Sequence, residues 1–396
     1  MGYIDGNGNA LVAAGAAAAG PASPPFTSVP AGALDAWTAA KAGAAGAVVS
    51  VAGIGDSILR GAAASPGNGF WTKLVAALQA KYGSAGEGFH GIADTTDPAY
   101  GGATGYSADV TPCWTYANGS SGSWQDWHTW GLGGQARVGG GAGAKATGVF
   151  SGTGVDVLVA TNGGGGPFTV SVDGVPYDKG GIPNGSGGNP SCNGATASPL
   201  VAVSIRGLPD ARHTIVLQQV GAQNLVLHGI VAYSGVPRGV LPWRMGVAGK
   251  SAYQTLINRN VDSARSSVEL LPMPPKLLVV EHIVNDMQQL VAYNTFAYQA
   301  RRLCDSARAC GASILFVIPA IGPVVGNWLN YDFASFYIDR VYGMAGRYNA
   351  AVLDVNAAWE ALGPAVSAGL IRGGGDAHPS DAGHADIAGW LQALLV

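Results

Sequence analysis

Ser57, preceded by Gly55-Asp56, and His378, followed by Pro379, are the residues of this chain best suited to covalent chemistry. A serine hydroxyl is a weak nucleophile at neutral pH until a base takes its proton, and imidazole is the usual base. Asp376, two residues before His378, could orient that ring and stabilise its charged form. Two further segments could hold a developing oxyanion. One is the glycine-bearing turn over 245–251, where Gly249 can aim a backbone N–H, with Gly246 as its competitor. The other is the apolar run over 279–286, which ends in Asn285-Asp286 and offers a side-chain amide. No metal-ligand spacing such as His-Glu-x-x-His occurs, and no local signature of a glycosidase carboxylate pair stands out.

These residues need elements that bring them together. The run over 47–53 is apolar and β-branched and reads as a buried strand, with Ser57 just beyond its end. A helical pattern follows over about 70–82. After about residue 240 strands and helices alternate: strands over 276–282, 313–319 and 351–355, helices over 287–309, 333–348 and 381–395. Such alternation implies right-handed crossovers and a parallel sheet, whose C-terminal edge would receive Ser57, Asn285 and His378 together.

The middle of the chain differs. Residues 98–145 are rich in Gly, Ser, Thr and aromatics without a helical period. Short β-like runs follow over 146–151, 155–160, 168–172, 200–205, 213–218 and 224–233, separated by turns such as Asp173-Gly174. This spacing predicts an antiparallel β-sandwich inserted into the α/β unit. The expected organisation is an N-terminal extension over 1–44, a discontinuous catalytic unit over 45–97 and 240–396, and an inserted domain over 98–239.

Taken in order, these segments resemble the blocks of the SGNH (GDSL-type) hydrolase family. Gly55-Asp56-Ser57 resembles the first block with its nucleophile, Gly249 the oxyanion glycine of the second, Asn285 the oxyanion asparagine of the third, and His378 the base of the fifth. The resemblance implies a three-layer α/β/α fold with a parallel sheet, ester hydrolysis through an acyl-enzyme, an oxyanion hole from Ser57, Gly249 and Asn285, and no cofactor or metal. Two positions depart from the pattern. The family places its acid three residues before the histidine, where this chain has Gly375, and a glycine two residues before the asparagine, where this chain has Ile283.

Composition narrows the partners. Charged residues make up 11% of the 396, against roughly 25% in ordinary globular proteins, while Gly alone contributes 62. A net charge of −3 with 21 Lys+Arg argues against a nucleic-acid footprint. No apolar stretch reaches the length that spans a bilayer. The apolar run over 11–19 lacks a basic flank and has Asp5 before it, so 1–44 reads as an extension and not as an export signal. The weakly charged, Gly- and Ser-rich composition suits an extracellular or particle-surface setting, such as a virion. Cys113 with Cys192, or Cys304 with Cys310, could form disulfides in that compartment; the latter two could equally be buried thiols.

Trp114, Trp124, Trp127 and Trp130, with Tyr116, are either hydrophobic payload for a glycine-rich segment or a stacking platform for sugar rings. Trp127 is the ring taken as a substrate contact, along with Asp56 and His282. His384 reads as a packed residue of the closing helix. The function expected is a serine esterase acting on short acyl esters, acetyl above all, of a carbohydrate or cell-wall glycan. The alternatives are a lipase or thioesterase on small or lipid esters, and a catalytically weak glycan-binding structural or tail component. Oligomeric state is not legible in these residues.

Overall fold

A computed structural model describes residues 26–92, 114–120, 122, 124–128, 132–161, 164–183, 188–193, 199–236, 238–256, 266–321, 334–362, 369–372 and 378–396. In chain order the elements begin with β1 (Thr27–Ser28), α1 (Asp35–Gly43), β2 (Val48–Gly55), α2 (Phe70–Tyr82) and β3 (Gly88–Gly91). Nine largely antiparallel elements follow: β4 (Trp114–Ala117), β5 (Gln125–His128), β6 (Gln135–Gly140), β7 (Lys145–Ala160), β8 (Phe168–Val172), β9 (Val175–Tyr177), β10 (Pro199–Gln219), β11 (Asn224–Tyr233) and β12 (Gly239–Gly246). The last of these returns the chain to the parallel half. Next come α3 (Ala252–Thr255), β13 (Leu277–Glu281), α4 (Val284–Gln288), α5 (Tyr293–Ala309) and β14 (Ser313–Ile318). The chain closes with α6 (Ala334–Tyr348), β15 (Ala351–Asp354), α7 (Val355–Leu362) and α8 (Asp381–Leu395).

The architecture is mixed α/β around one large sheet. Its parallel half runs β15-β14-β13-β2-β12, and every residue of β13, β14 and β15 is buried. Burial on both faces explains why these strands read as unbroken Leu, Val and Ile runs instead of alternating. Two groups of helices cover this half. In one, α1, α2 and α8 meet around Trp37, which is sealed from solvent and donates its indole N–H to Leu395 O at 3.0 Å. In the other, α5 and α6 pack through Phe296 and Tyr337, with ring centroids 5.6 Å apart.

The β-rich segment continues this sheet. β3 pairs with β12 at Phe89 and Trp243 on one side and with β11 on the other, and the path runs on through β7, β10, β8 and β9. Two pairs of expected short strands merge. The runs over 146–151 and 155–160 form the single strand β7, and those over 200–205 and 213–218 form β10, with a register shift between Arg206 and Ala211. The segment keeps an apolar core of its own, built from Trp114, Phe150, Val157, Phe168, Ile215 and Leu227 among others. The Asp173-Gly174 turn forms as expected, with both residues at positive φ between β8 and β9.

Other expectations need adjustment. From Thr27 the presumed extension is integrated, since β1 pairs with β15 and Trp37 lies in the core. The single helix expected over 287–309 is interrupted, because Leu290 takes φ 52 and the chain restarts as α5. Among the described cysteines, Cys192, Cys304 and Cys310 are free thiols, so no bridge joins the last two; Cys113 lies outside the described residues.

Candidate active site

Register places the candidate residues. Gly55, the last residue of β2, pairs with Gly246 of β12 on one side and with Glu281 of β13 on the other. Three parallel strands therefore end level and about 4.8 Å apart, and the segments after them emerge side by side. Val247 N–H donating to Gly55 O at 3.1 Å extends that row by one residue. Ser57 stands in the middle of the three exits.

Beyond β2 the chain turns at once. Arg60 N–H donates to Asp56 O at 3.2 Å and Ala62 N–H to Ser57 O at 2.8 Å. Gly246 lies beneath this turn, where a methyl group on it would come within 2.9 Å of Arg60 N. The Ser57 side chain meets His378, whose Nε2 lies 2.7 Å from Ser57 Oγ across 321 residues of sequence. Both residues are largely buried, at 6% and 8% exposure. His378 is fixed by its own backbone, since Arg372 N–H donates to its carbonyl at 2.9 Å. Ser380 then caps α8, accepting Gly383 N–H at 3.2 Å. A buried hydroxyl in hydrogen-bond contact with an imidazole has the geometry that general-base activation requires. Asp376 lies outside the described residues.

Asn285 is buried at the start of α4, and its Nδ2 donates to Asp56 Oδ2 at 3.0 Å. The amide has two hydrogens, so one remains for another acceptor. Asp56 Oδ1 accepts Ile58 N–H at 2.8 Å. Asp56 is fully buried, so it supports the turn and presents no surface to a substrate. The same holds for His282. Thr255 Oγ1 donates to Ser251 O at 3.2 Å, which leaves it to accept the His282 Nε2–H at 2.8 Å. Burial pushes the His282 ring down to about 3, so it is neutral, and its Nδ1 has no partner. Both residues were expected as substrate contacts; Asp56 spends both carboxyl oxygens within the fold, and His282 spends its Nε2 there.

The turn after β12 is held by a carboxyl that sequence reasoning did not single out. Both oxygens of Asp286 lie within reach of Ala252 N–H, at 3.1 and 2.9 Å, at the first turn of α3. Ser251 and Gln254 complete a capping box there. Gly249 takes φ 72, a left-handed conformation that favours glycine, and its carbonyl accepts Gln289 Nε2–H at 2.8 Å. Ile283 takes φ 140 with ψ −45, an outlier for a β-branched residue worth about 1–3 kcal/mol of strain. It stands where the SGNH pattern would have a glycine, and its buried side chain joins the core.

Burial sets the electrostatics. It pushes the carboxyls of Asp56 and Asp286 up, the latter to about 8, and that of Glu281 up well beyond its ordinary range. His384 has a packing role, as expected: its Nδ1 accepts Phe70 N–H at 3.3 Å and its Nε2 donates to Ala62 O at 3.1 Å. Trp114 and Trp124 are core residues in contact with Tyr116, the first stacked on its ring and the second tilted against it. For Trp127 only the backbone, in β5, is described.

No protein-family model and no curated protein matches the chain. Among solved structures it is similar to protein YXIM from Bacillus subtilis, at 14% identity over 70% of this chain and 86% of that one, TM-score 0.33. A family two carbohydrate esterase from Clostridium thermocellum, solved with cellohexaose, matches at 16% identity over 66% and 94%, TM-score 0.27. The psychrotrophic esterase EstA from Pseudoalteromonas sp. matches at 15% over 38% and 74%, TM-score 0.29.

Proposed function

We propose that this chain is a serine esterase of SGNH type that hydrolyses short acyl esters, acetyl above all, on a carbohydrate or cell-wall glycan. The observation that carries the reading is the 2.7 Å contact between Ser57 Oγ and His378 Nε2, at the level where three parallel strands end. Ser57 attacks the ester carbonyl while His378 takes its proton, and the resulting imidazolium returns that proton to the leaving alcohol. The N–H groups of Ser57 and Gly249 and the remaining amide hydrogen of Asn285 hold the oxyanion. Water then cleaves the acyl-enzyme by the same route. Asp376 is assigned the role of orienting His378.

In this reading residues 45–97 and 240–396 form a three-layer catalytic unit, and 98–239 an inserted sandwich-type module. The separate apolar core of the β-rich segment supports that division. A chain with 11% charged residues suits a neutral, hydroxyl-rich polymer better than an anionic headgroup, and an extracellular or particle-surface setting. With Trp114 and Trp124 committed to packing, Trp127 is the ring assigned to sugar contact.

The test is p-nitrophenyl acetate hydrolysis by the wild type, Ser57→Ala and His378→Ala. Either substitution should lower turnover on the order of 10⁴–10⁶-fold with the fold intact. Equal rates in wild type and Ser57→Ala would overturn the reading. Acetylated polysaccharide set against an acyl-chain-length series then tests the substrate class, and a preference for long chains would reassign it to lipids.

A further inference from the structure

One buried acid has no part in the mechanism above. Glu281 ends β13, is fully buried, and lies against the turn that carries the nucleophile. Its Oε2 accepts Asp56 N–H at 3.3 Å and Leu59 N–H at 3.1 Å, the two ends of the Ser57 turn. The approach is close enough to dictate the preceding residue. A methyl group on Gly55 would lie 2.8 Å from Glu281 Oε2 and 2.5 Å from Glu281 O, so nothing larger than hydrogen fits there.

Asp56, whose N–H Glu281 accepts, is itself fully buried, and burial raises both carboxyls. Two neighbouring carboxyls buried together do not both ionise readily, so one keeps its proton. Asp56 is the better anion, because it accepts Ile58 N–H and Asn285 Nδ2–H and feels the imidazole of His378. Glu281 meets the negative charge of Asp56 and is the protonated partner. The connection thus runs from Glu281 to Asp56 to Asn285, with the Ser57 turn clamped along the way.

We propose that Glu281 is a positioning residue for the nucleophile, pinning the Ser57 turn from beneath and, through Asp56, holding the Asn285 amide in the same frame. This inference rests on the esterase reading. It separates Glu281 from a packing residue by chemistry, since the role needs an acceptor for two N–H groups. Glutamine supplies that acceptor at the same size. Methionine fills the volume and lacks it.

The experiment measures kcat and KM for p-nitrophenyl acetate and the rate of fluorophosphonate labelling of Ser57, in wild type, Glu281→Gln and Glu281→Met, with thermal melts alongside. Displacing a catalytic group by about 1 Å can cost on the order of a hundredfold in rate. Glu281→Met is expected to lose about that much in kcat and labelling rate, with KM nearly unchanged, while Glu281→Gln matches the wild type. A folded Glu281→Met with wild-type kcat, or a Glu281→Gln as impaired as Glu281→Met, overturns the assignment while leaving the esterase reading intact. Should Glu281→Met not fold, Glu281→Asp replaces it. The carboxyl, drawn back by one methylene, should lose kcat in the same direction, and wild-type kcat there overturns the proposal. Wild-type protein inert in both assays sinks the esterase reading, and this role with it.

Discussion

In the antiparallel half of the sheet, Asp156 is buried with Arg206 Nη1 2.8 Å from its Oδ1 and the Tyr233 hydroxyl donating to its Oδ2 at 2.8 Å. His213, also buried there, lies 2.6 Å from Asp173 Oδ2 through Nδ1 and shares its Nε2–H between Pro209 O and Gly152 O. In the parallel half, Asp56, Glu281 and Asp286 are buried at the strand ends against backbone N–H groups, an amide and each other. One half neutralises its buried charge with an opposite one. The other gathers carboxyls whose ionisation burial opposes at the edge that carries Ser57. Unfavourable burial is concentrated around the Ser57 turn, consistent with perturbed acids gathering at functional sites.

That contrast can be broken from either side. Asn285→Ala removes the proposed oxyanion donor and the Asp56 contact together, and should lower kcat for p-nitrophenyl acetate by about 10²–10³-fold, with unfolding little changed. A loss under about threefold, well short of that range, would free Asn285 from the role. Asp286 tests the electrostatic side. Its folded value of about 8 stands above the ordinary value near 3.9, so the folded state keeps a proton that the unfolded chain has lost. Stability should therefore fall as pH rises from about 4 to 8. Asp286→Asn, which keeps the acceptor for Ala252, should flatten that slope in melts across the range, and an unaltered slope would refute the assignment.

In the other half, Arg206→Met should cost about 1 kcal/mol in urea unfolding, since the guanidinium is half exposed, and leave kcat unchanged. A comparable loss of activity would show the two halves to be coupled. The smallest effect belongs to His213. Burial pushes this ring down, but its bonds to Asp173, Pro209 and Gly152 outweigh burial and hold it up. The stabilisation is complete below the ordinary value near 6.5 and is lost as pH rises through the raised one. His213→Gln should accordingly lower the melting temperature at pH 5.5 more than at pH 9, and an equal loss at both would remove the charge from the account.

Much of this arrangement was legible from residue types. The buried run before Ser57, the helix over 70–82 and the closing helix over 381–395 match β2, α2 and α8 because local pattern and tertiary demand agree there. The meeting of Ser57 and His378 was readable because each stands at an element boundary on the same edge of the sheet. Glu281 and Asp286 were overlooked as participants, although an acid ending a Leu-Leu-Val-Val run is itself a signal. Their roles depend on which backbone N–H groups of distant segments face them, and pattern does not carry that. The merging of four short runs into β7 and β10 was hidden by glycines that interrupt the apolar pattern without ending the strand. Leu290 gave no warning, since left-handed backbone at an aliphatic residue has no signature in composition, whereas Ile283 stood at a position where the resembled pattern has a glycine.

Helix α8 is sewn to the nucleophile's side of the molecule along its length. Asp381 accepts the Ser65 N–H and hydroxyl at 2.7 Å each, His384 reaches Phe70 and Ala62, and the last turn receives Trp37, Lys41 and Tyr82. The backbone that carries His378 therefore moves only with that helix, and hydrogen exchange should find α2 and α8 releasing their amides as one unit.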